Sequence, residues 1–257
     1  MSDIEITRDG HVAVVTLNRE AQRNAVTLAM WKELASIFAG FNADAEVRGV
    51  ILMGAGGNFS VGADVSEFGK VRSDAAQSKA YEVAVDAASE AIANARMPVI
   101  AVLAGYCLGG GCHLAMACDF RFAERDAAIG IPAAKLSIVY GVRSTQRLMS
   151  LVGLTNAKRV LYSADRYTAA EAARMGLVDE VSEDPLSDAV HYAKRIAALA
   201  PLSVEGAKRI LTGVAMGEGR LNVAEANAFI DRVSDSADYG EGRRAFAEKR
   251  SPDFRGN

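Results

Sequence analysis

Gly105-Tyr106-Cys107-Leu108-Gly109-Gly110-Gly111-Cys112-His113 is the stretch on which the reading of this chain turns. It follows an apolar run at 99–104, which predicts a buried strand restarting after Pro98. It precedes a second apolar stretch to about Cys118, which predicts a helix. Residues 97–118 carry no charge, and by length alone they could cross a membrane. The glycine cluster at their centre would break one continuous helix, so a buried strand, a glycine turn and a buried helix explain the run better. A helix that opens on such a turn leaves its first N–H groups unsatisfied, and its dipole favours an anion there.

A comparable turn lies upstream. Asn58-Phe59-Ser60-Val61-Gly62-Ala63-Asp64-Val65 follows a short apolar strand predicted at 47–53 and a glycine-rich stretch at 54–59. Glycine lets a ligand come close to the backbone. Two such turns on neighbouring strands could aim two N–H donors at one oxygen, which is an oxyanion hole. Working outward, residues 4–8 and 11–17 alternate around Asp9-Gly10 and predict a β-hairpin. Thr27 reads as the N-cap of a helix running to about Phe41, with Trp31, Leu34, Ile37, Phe38 and Phe41 on one face. A long alanine-rich helix is predicted over 74–95 and another strand over 120–123. Repeated strand–turn–helix units of this kind point to an α/β protein with a parallel sheet. After about Leu148 helices dominate, at 155–163, 168–175, 186–199, 202–212, 222–233 and 241–250, with a brief strand at 177–181. The chain thus divides into an α/β core, residues 1–195, and a helical C-terminal region, residues 196–257.

Composition narrows the functional classes. Half of the 257 residues are hydrophobic and 24% are charged, enough to bury a sizeable core. The net charge of −3 argues against a nucleic-acid partner. Arg243, Arg244, Lys249, Arg250 and Arg255 do cluster, which reads first as a solvated helix face that could meet a few phosphates. The first residues have no basic start and no apolar run, so no signal peptide is expected. Cys107, Cys112 and Cys118 form no CxxC pair and predict packed thiols in a reducing cytoplasm. With His113 they lack the spacing of a zinc site, and no metal is expected. Gly54-Ala55-Gly56 follows a strand, but a dinucleotide fingerprint would need glycine where Phe59 stands. Neither a P-loop lysine motif nor a G-x-S-x-G elbow is present.

The two turns resemble the paired oxyanion-hole segments of the crotonase superfamily, also called the enoyl-CoA hydratase/isomerase family. Further resemblances run along nearly the whole chain: Leu17-Asn18-Arg19 with Asn24-Ala25, Cys118-Asp119-Phe120-Arg121, Thr145-Gln146-Arg147-Leu148, Ala169-Ala170-Glu171-Ala172 with Gly176-Leu177-Val178, and Phe246-Ala247-Glu248-Lys249-Arg250. Each piece alone is weak; the combination is specific. The resemblance implies a crotonase fold, with repeated ββα units and a C-terminal helical region that drives assembly into a homotrimer or a dimer of trimers. It implies an acyl-CoA substrate, whose coenzyme A enters as part of the substrate and not as a separate cofactor. It places the oxyanion donors at the amides of Ala63 and Gly110. It places the CoA end near Arg19, Arg23, Ala25, Ala63, Asp64 and Val65, with Phe246 and Lys249 closing over it from this subunit or a neighbour.

The sequence also departs from the family. Hydratases there carry two glutamates around one water; His113 stands at the first position and Ala133, after Pro132, at the second. Adding water across a double bond needs a group to take a proton from water and a group to deliver one to carbon. Alanine can do neither, so two-glutamate hydration is not expected. The groups that remain are His113, Tyr140 and, beside them, Lys135 and Arg143. A helix N-terminus favours neutral imidazole, which can act as base, acid or hydrogen-bond donor; the competing reading is a histidine that fills space. Tyr140 falls where a decarboxylase of the family carries an active-site tyrosine, and it could equally pack its ring in the wall. Arg143 could meet an acidic acyl group or face solvent, and Asp64 reads as a cap on nearby amides. The expected activity is therefore enolate chemistry on an acyl-CoA, by isomerisation, decarboxylation or atypical hydration. The alternatives are a silent acyl-CoA-binding protein and a thioester hydrolase that uses His113.

Overall fold

The computed structural model describes residues 2–136, 138–217 and 222–257, without the side chains of Val223, Ala226, Phe246 and Ala247. β1 (Ile4–Asp9) and β2 (Val12–Leu17) form the antiparallel hairpin at the edge of a six-stranded sheet. β3 (Gly49–Gly54), β4 (Val99–Leu103), β6 (Phe120–Glu124) and β9 (Glu180–Ser182) extend it in parallel from β2. A smaller sheet stands apart from it, made of β5 (Tyr106–Leu108), β7 (Ala128–Gly130) and β8 (Arg166–Thr168). These strands are three residues long and carry no alternation to read. The predicted turn at 105–113 therefore contains a strand, β5, that sequence alone does not reveal.

The helices fall on both faces of the large sheet, as a parallel sheet demands. On one side lie α1 (Leu28–Ala43), the four-residue α2 (Phe68–Val71), α3 (Ala75–Ala93) and α4 (Gly110–Ala117), packed over Val15, Leu52, Ala101 and Leu103. Thr27 caps α1 by accepting from the Met30 amide at 3.2 Å, and Asp74 caps α3 by accepting from Gln77 at 2.8 Å. Trp31, Leu34 and Phe38 of the predicted α1 face are fully buried. Two ββα units send one strand to each sheet: β4 and β5 precede α4, and β6 and β7 precede α5 (Val142–Ser163). The predicted helix at 155–163 is only the second half of α5, which breaks at Gly153 with φ +72°.

After α6 (Ala169–Met175), whose Thr168–Glu171 capping box fixes its start, α7 (Pro185–Ala197) covers the other face of the sheet. Ala189, Ala193 and Ala197 meet Val12, Ile51, Ile100 and Phe122 there. The division predicted after residue 195 falls inside this helix. The chain ends in α8 (Pro201–Ala215), α9 (Val223–Ser234) and α10 (Ala237–Glu248). The last of these starts earlier than predicted. A buried lysine ties α8 to the sheet: Lys208 Nζ donates to Asp119 Oδ2 at 2.7 Å and to the Met97 carbonyl at 2.9 Å, while the same carboxylate oxygen accepts from the Val99 amide at 2.8 Å. Cys107, Cys112 and Cys118 are buried and unpaired, and burial pushes the Cys118 thiol up to about 12. Among the described residues no helix is long and apolar enough to cross a membrane.

Candidate active site

The two glycine turns are stitched to each other by their own backbones. Phe59 donates to the Ala104 carbonyl at 2.8 Å, Ser60 to Tyr106 at 2.8 Å, and Leu108 back to Ser60 at 2.9 Å. The Ser60 hydroxyl is fully buried; it donates to the Asn24 carbonyl at 2.7 Å and accepts from the Gly62 amide at 3.0 Å. Val26 donates to Gly62 at 2.8 Å and Asp64 to Val26 at 2.9 Å, so both neighbours of the Ala63 amide are engaged. On the other turn Gly109 donates to Gly130 at 2.9 Å, and Gly110 is the first residue of α4, where a helix leaves its N–H without a partner. Among the described residues the amides of Ala63 and Gly110 donate to no backbone acceptor. They also stand close together: a Cβ added at Gly110 would lie 3.0 Å from the Ala63 nitrogen, and one at Gly62 would lie 2.8 Å from the Gly110 nitrogen. Gly62, at φ +99°, is glycine both for its backbone conformation and because a side chain would fill the space between the two amides.

The amides open onto a cavity of about 140 Å³. Ala63, Gly109, Gly110, His113, Ile131 and Ala133 line it, together with Trp31, Phe68, Arg72, Tyr81, Glu82 and Tyr140. His113 is 4% exposed, its ring edge-on to both Trp31 (6.4 Å) and Tyr140 (5.9 Å). Its Nε2 is buried with no partner among the described residues. Burial, reinforced by the Arg147 charge, drives its pKa down to about 3. Imidazole is neutral here as expected, but desolvation is the main cause. Tyr140 approaches the Gly109 carbonyl at 3.5 Å, and burial raises its hydroxyl well above the ordinary value. The indole N–H of Trp31 donates to the Tyr81 hydroxyl at 2.9 Å, and burial lifts that phenol to about 12.

Other residues singled out in the sequence sit elsewhere. Arg143 pairs with Glu90 at 3.5 Å and is not in the cavity wall; Lys135 is exposed and outside it as well. Asp64 caps the turn at Val65–Glu67, accepting from the Ser66 amide at 3.0 Å and from Arg19 Nη1 at 2.8 Å, bonds that hold its carboxyl below the usual range. Arg19 is thereby committed to Asp64 and to the Ala25 carbonyl, at 2.7 Å. Ala25 is buried, Val65 exposed, and Arg23 lies over the Tyr106 ring at 5.2 Å. Lys249 is exposed beyond α10, and the side chain of Phe246 lies outside the described residues. Four contributors escaped the sequence reading. Asn24 and Ser60 are buried and stitch the turns: Asn24 Nδ2 donates to Asn58 at 2.7 Å and to Ala55 at 2.9 Å. Arg72 and Glu82 form an ion pair of 2.9 Å in the cavity wall. Their signal was a pair of opposite charges flanking the aromatic positions Phe68 and Tyr81.

The fold is a two-sheet α/β architecture in which the amides of Ala63 and Gly110, without backbone acceptors among the described residues, lie close together beside a cavity. The profile of the enoyl-CoA hydratase/isomerase family matches residues 7–257. The chain is 34% identical over 254 residues to the short-chain-enoyl-CoA hydratase of Clostridium acetobutylicum, covering 97% of this chain and 96% of that one. It is 32% identical over 258 residues to the 2,3-dehydroadipyl-CoA hydratase of Escherichia coli, covering 100% of both. The crystal structure of an enoyl-CoA hydratase/carnithine racemase from Magnetospirillum magneticum matches with a TM-score of 0.94 at 35% identity, covering 100% of this chain and 97% of that one. The chain belongs to the enoyl-CoA hydratase/isomerase family of the crotonase superfamily and has the crotonase fold.

Proposed function

We propose that this protein is an enzyme that binds an acyl-CoA thioester and stabilises its enolate between the amides of Ala63 and Gly110. The observation that supports the reading is their proximity: neighbouring amides, each flanked by engaged amides or a helix start and without a backbone acceptor among the described residues, line one cavity. Taking a proton from the acyl α-carbon, or releasing its carboxylate as carbon dioxide, leaves the bonding pair behind and pushes charge onto the thioester oxygen, where two preorganised donors stabilise it. The reaction is isomerisation, decarboxylation or an atypical hydration. Two-glutamate hydration does not fit a wall that presents His113 and Ala133 beside the amides. The thioester itself is the electron sink, so coenzyme A arrives with the substrate. The protein works in the cytoplasm as a homotrimer or a dimer of trimers, with Arg19, Arg23, Ala25, Asp64, Val65, Phe246 and Lys249 toward the CoA end.

Incubation with a panel of enoyl-, malonyl- and hydroxyacyl-CoAs, followed by mass spectrometry of the products, tests this. Turnover of an enoyl- or carboxyacyl-CoA is the expected result. Crotonyl-CoA hydration at a rate ordinary for the family would overturn the argument from the missing carboxylates. Light scattering of the purified protein tests the assembly.

A further inference from the structure

Main-chain amides can stabilise an enolate, but they cannot move the proton that creates it. The cavity offers five side chains with ionisable groups: Arg72, Tyr81, Glu82, His113 and Tyr140. Burial takes His113 down to about 3, which makes its imidazole a weaker base than a carboxylate whose ordinary value is 4.5. The Tyr81 phenol at about 12 keeps its proton, and burial holds Tyr140 in the same state. A guanidinium does not exchange its charge in proteins, which sets Arg72 aside. Glu82 is left, and it is the one carboxylate among the described residues of the wall.

Its placement suits the task. Glu82 follows Tyr81 on α3, and the Trp31 indole holds the Tyr81 hydroxyl in place. The carboxylate is tied at 2.9 Å to Arg72, whose side chain is 17% exposed and stacked at 4.9 Å over Phe68 and 5.0 Å over Tyr81. The Glu82 side chain is itself 48% exposed, so it can exchange protons with solvent. Burial raises its carboxyl above the ordinary value, with Asp86 adding to the rise and Arg72 opposing it. That direction brings a glutamate closer to the working range of a general base.

We propose that Glu82 is the catalytic residue that carries a proton between two carbons of an unsaturated acyl chain, which makes the site a one-base isomerase of β,γ-unsaturated acyl-CoA. This rests on the enolate reading above. The bond from the acyl α-carbon to hydrogen breaks and its proton goes to the Glu82 carboxylate. The electron pair moves into the bond between the α- and carbonyl carbons, and the carbonyl π pair moves onto the oxygen held by Ala63 and Gly110. When the carbonyl re-forms, the α,β double bond appears, and the former β,γ π pair takes the proton from Glu82 at the γ-carbon. Nothing is oxidised or reduced, and no co-reactant enters. One carboxylate suffices because the group that takes the proton also returns it. Arg72 acts as a positioning residue.

The test uses the full-length protein, a β,γ-unsaturated acyl-CoA and butyryl-CoA in deuterated buffer. Mass spectrometry follows deuterium uptake and double-bond migration, and calorimetry follows acyl-CoA affinity. Wild type should exchange the α-hydrogens and shift the double bond. Glu82→Gln should lose both by about 100-fold or more while still binding acyl-CoA. Glu82→Asp keeps the charge with a shorter reach, and should fall between the two and guard against a folding defect in the first variant. Arg72→Gln should move the acid limb of the rate to higher pH, because the cation that lowers the Glu82 pKa is gone. If Glu82→Gln exchanges as fast as wild type, or wild type binds acyl-CoA and shows neither exchange nor shift, the assignment of Glu82 is overturned and the enolate-binding site stands. If wild type binds no acyl-CoA at all, the reading beneath it falls instead.

Discussion

Ala63 and Gly110 are fixed by main-chain bonds on either side, within turns that strands hold at both ends. Arg72 and Glu82, which line the same cavity, stand at the end of a four-residue helix and at the start of the third turn of α3; they are held by each other, and Arg72 by aromatic faces. The first pair is held by backbone and presents no charged side chain. The second pair is held by side chains and is defined by charge.

Breaking the backbone pair should cost most. Gly110→Ala puts a methyl 3.0 Å from the Ala63 nitrogen and 3.1 Å from the Trp31 ring, so turnover should fall about 100-fold or more in steady-state kinetics. Next comes acid lability. His113 is neutral in the folded protein down to about pH 3, whereas its unfolded value is near 6.5, so protons bind the unfolded chain more readily in that window. The histidine's contribution is intact above 6.5 and is lost as pH falls below it, by roughly 1.4 kcal/mol per unit. Urea unfolding of wild type and His113→Gln should show their stability difference moving in the variant's favour by that slope. Tyr81→Phe leaves the buried Trp31 N–H without its acceptor and should destabilise by about 1–3 kcal/mol in the same assay. Arg143→Ala bounds the comparison from below. Its half-exposed pair with Glu90 lies outside the cavity, so turnover should stay unchanged and stability should shift by less than about 1 kcal/mol.

How much could be read beforehand follows the same division. The hairpin, Thr27 capping α1, Asp74 opening α3 and the glycine turns were legible because local rules govern them: alternation, capping and φ > 0. β5, β7 and β8 were not, because three residues give no period and each finds its partner far along the chain. Ala63 and Gly110 were placed by resemblance. Asn24 and Ser60 look like ordinary turn residues until their carbonyl partners are seen. Glu82 was hidden by its position beside the apolar stripe of Tyr81, Ala84, Val85 and Ala88, where a charged residue reads as solvated. Only the packing of α3 over the cavity puts that edge of the helix beside the turns.

The lysine that ties α8 to the sheet has a temporal consequence. Lys208 follows Asp119 by 89 residues and Met97 by 111. At about 5–20 residues per second the ribosome needs roughly 4–18 s to deliver it after the aspartate. During that interval the carboxylate beside β4 has no counter-charge. A nascent chain can therefore pair its strands early, but the tie between α8 and the sheet forms only when its last quarter emerges.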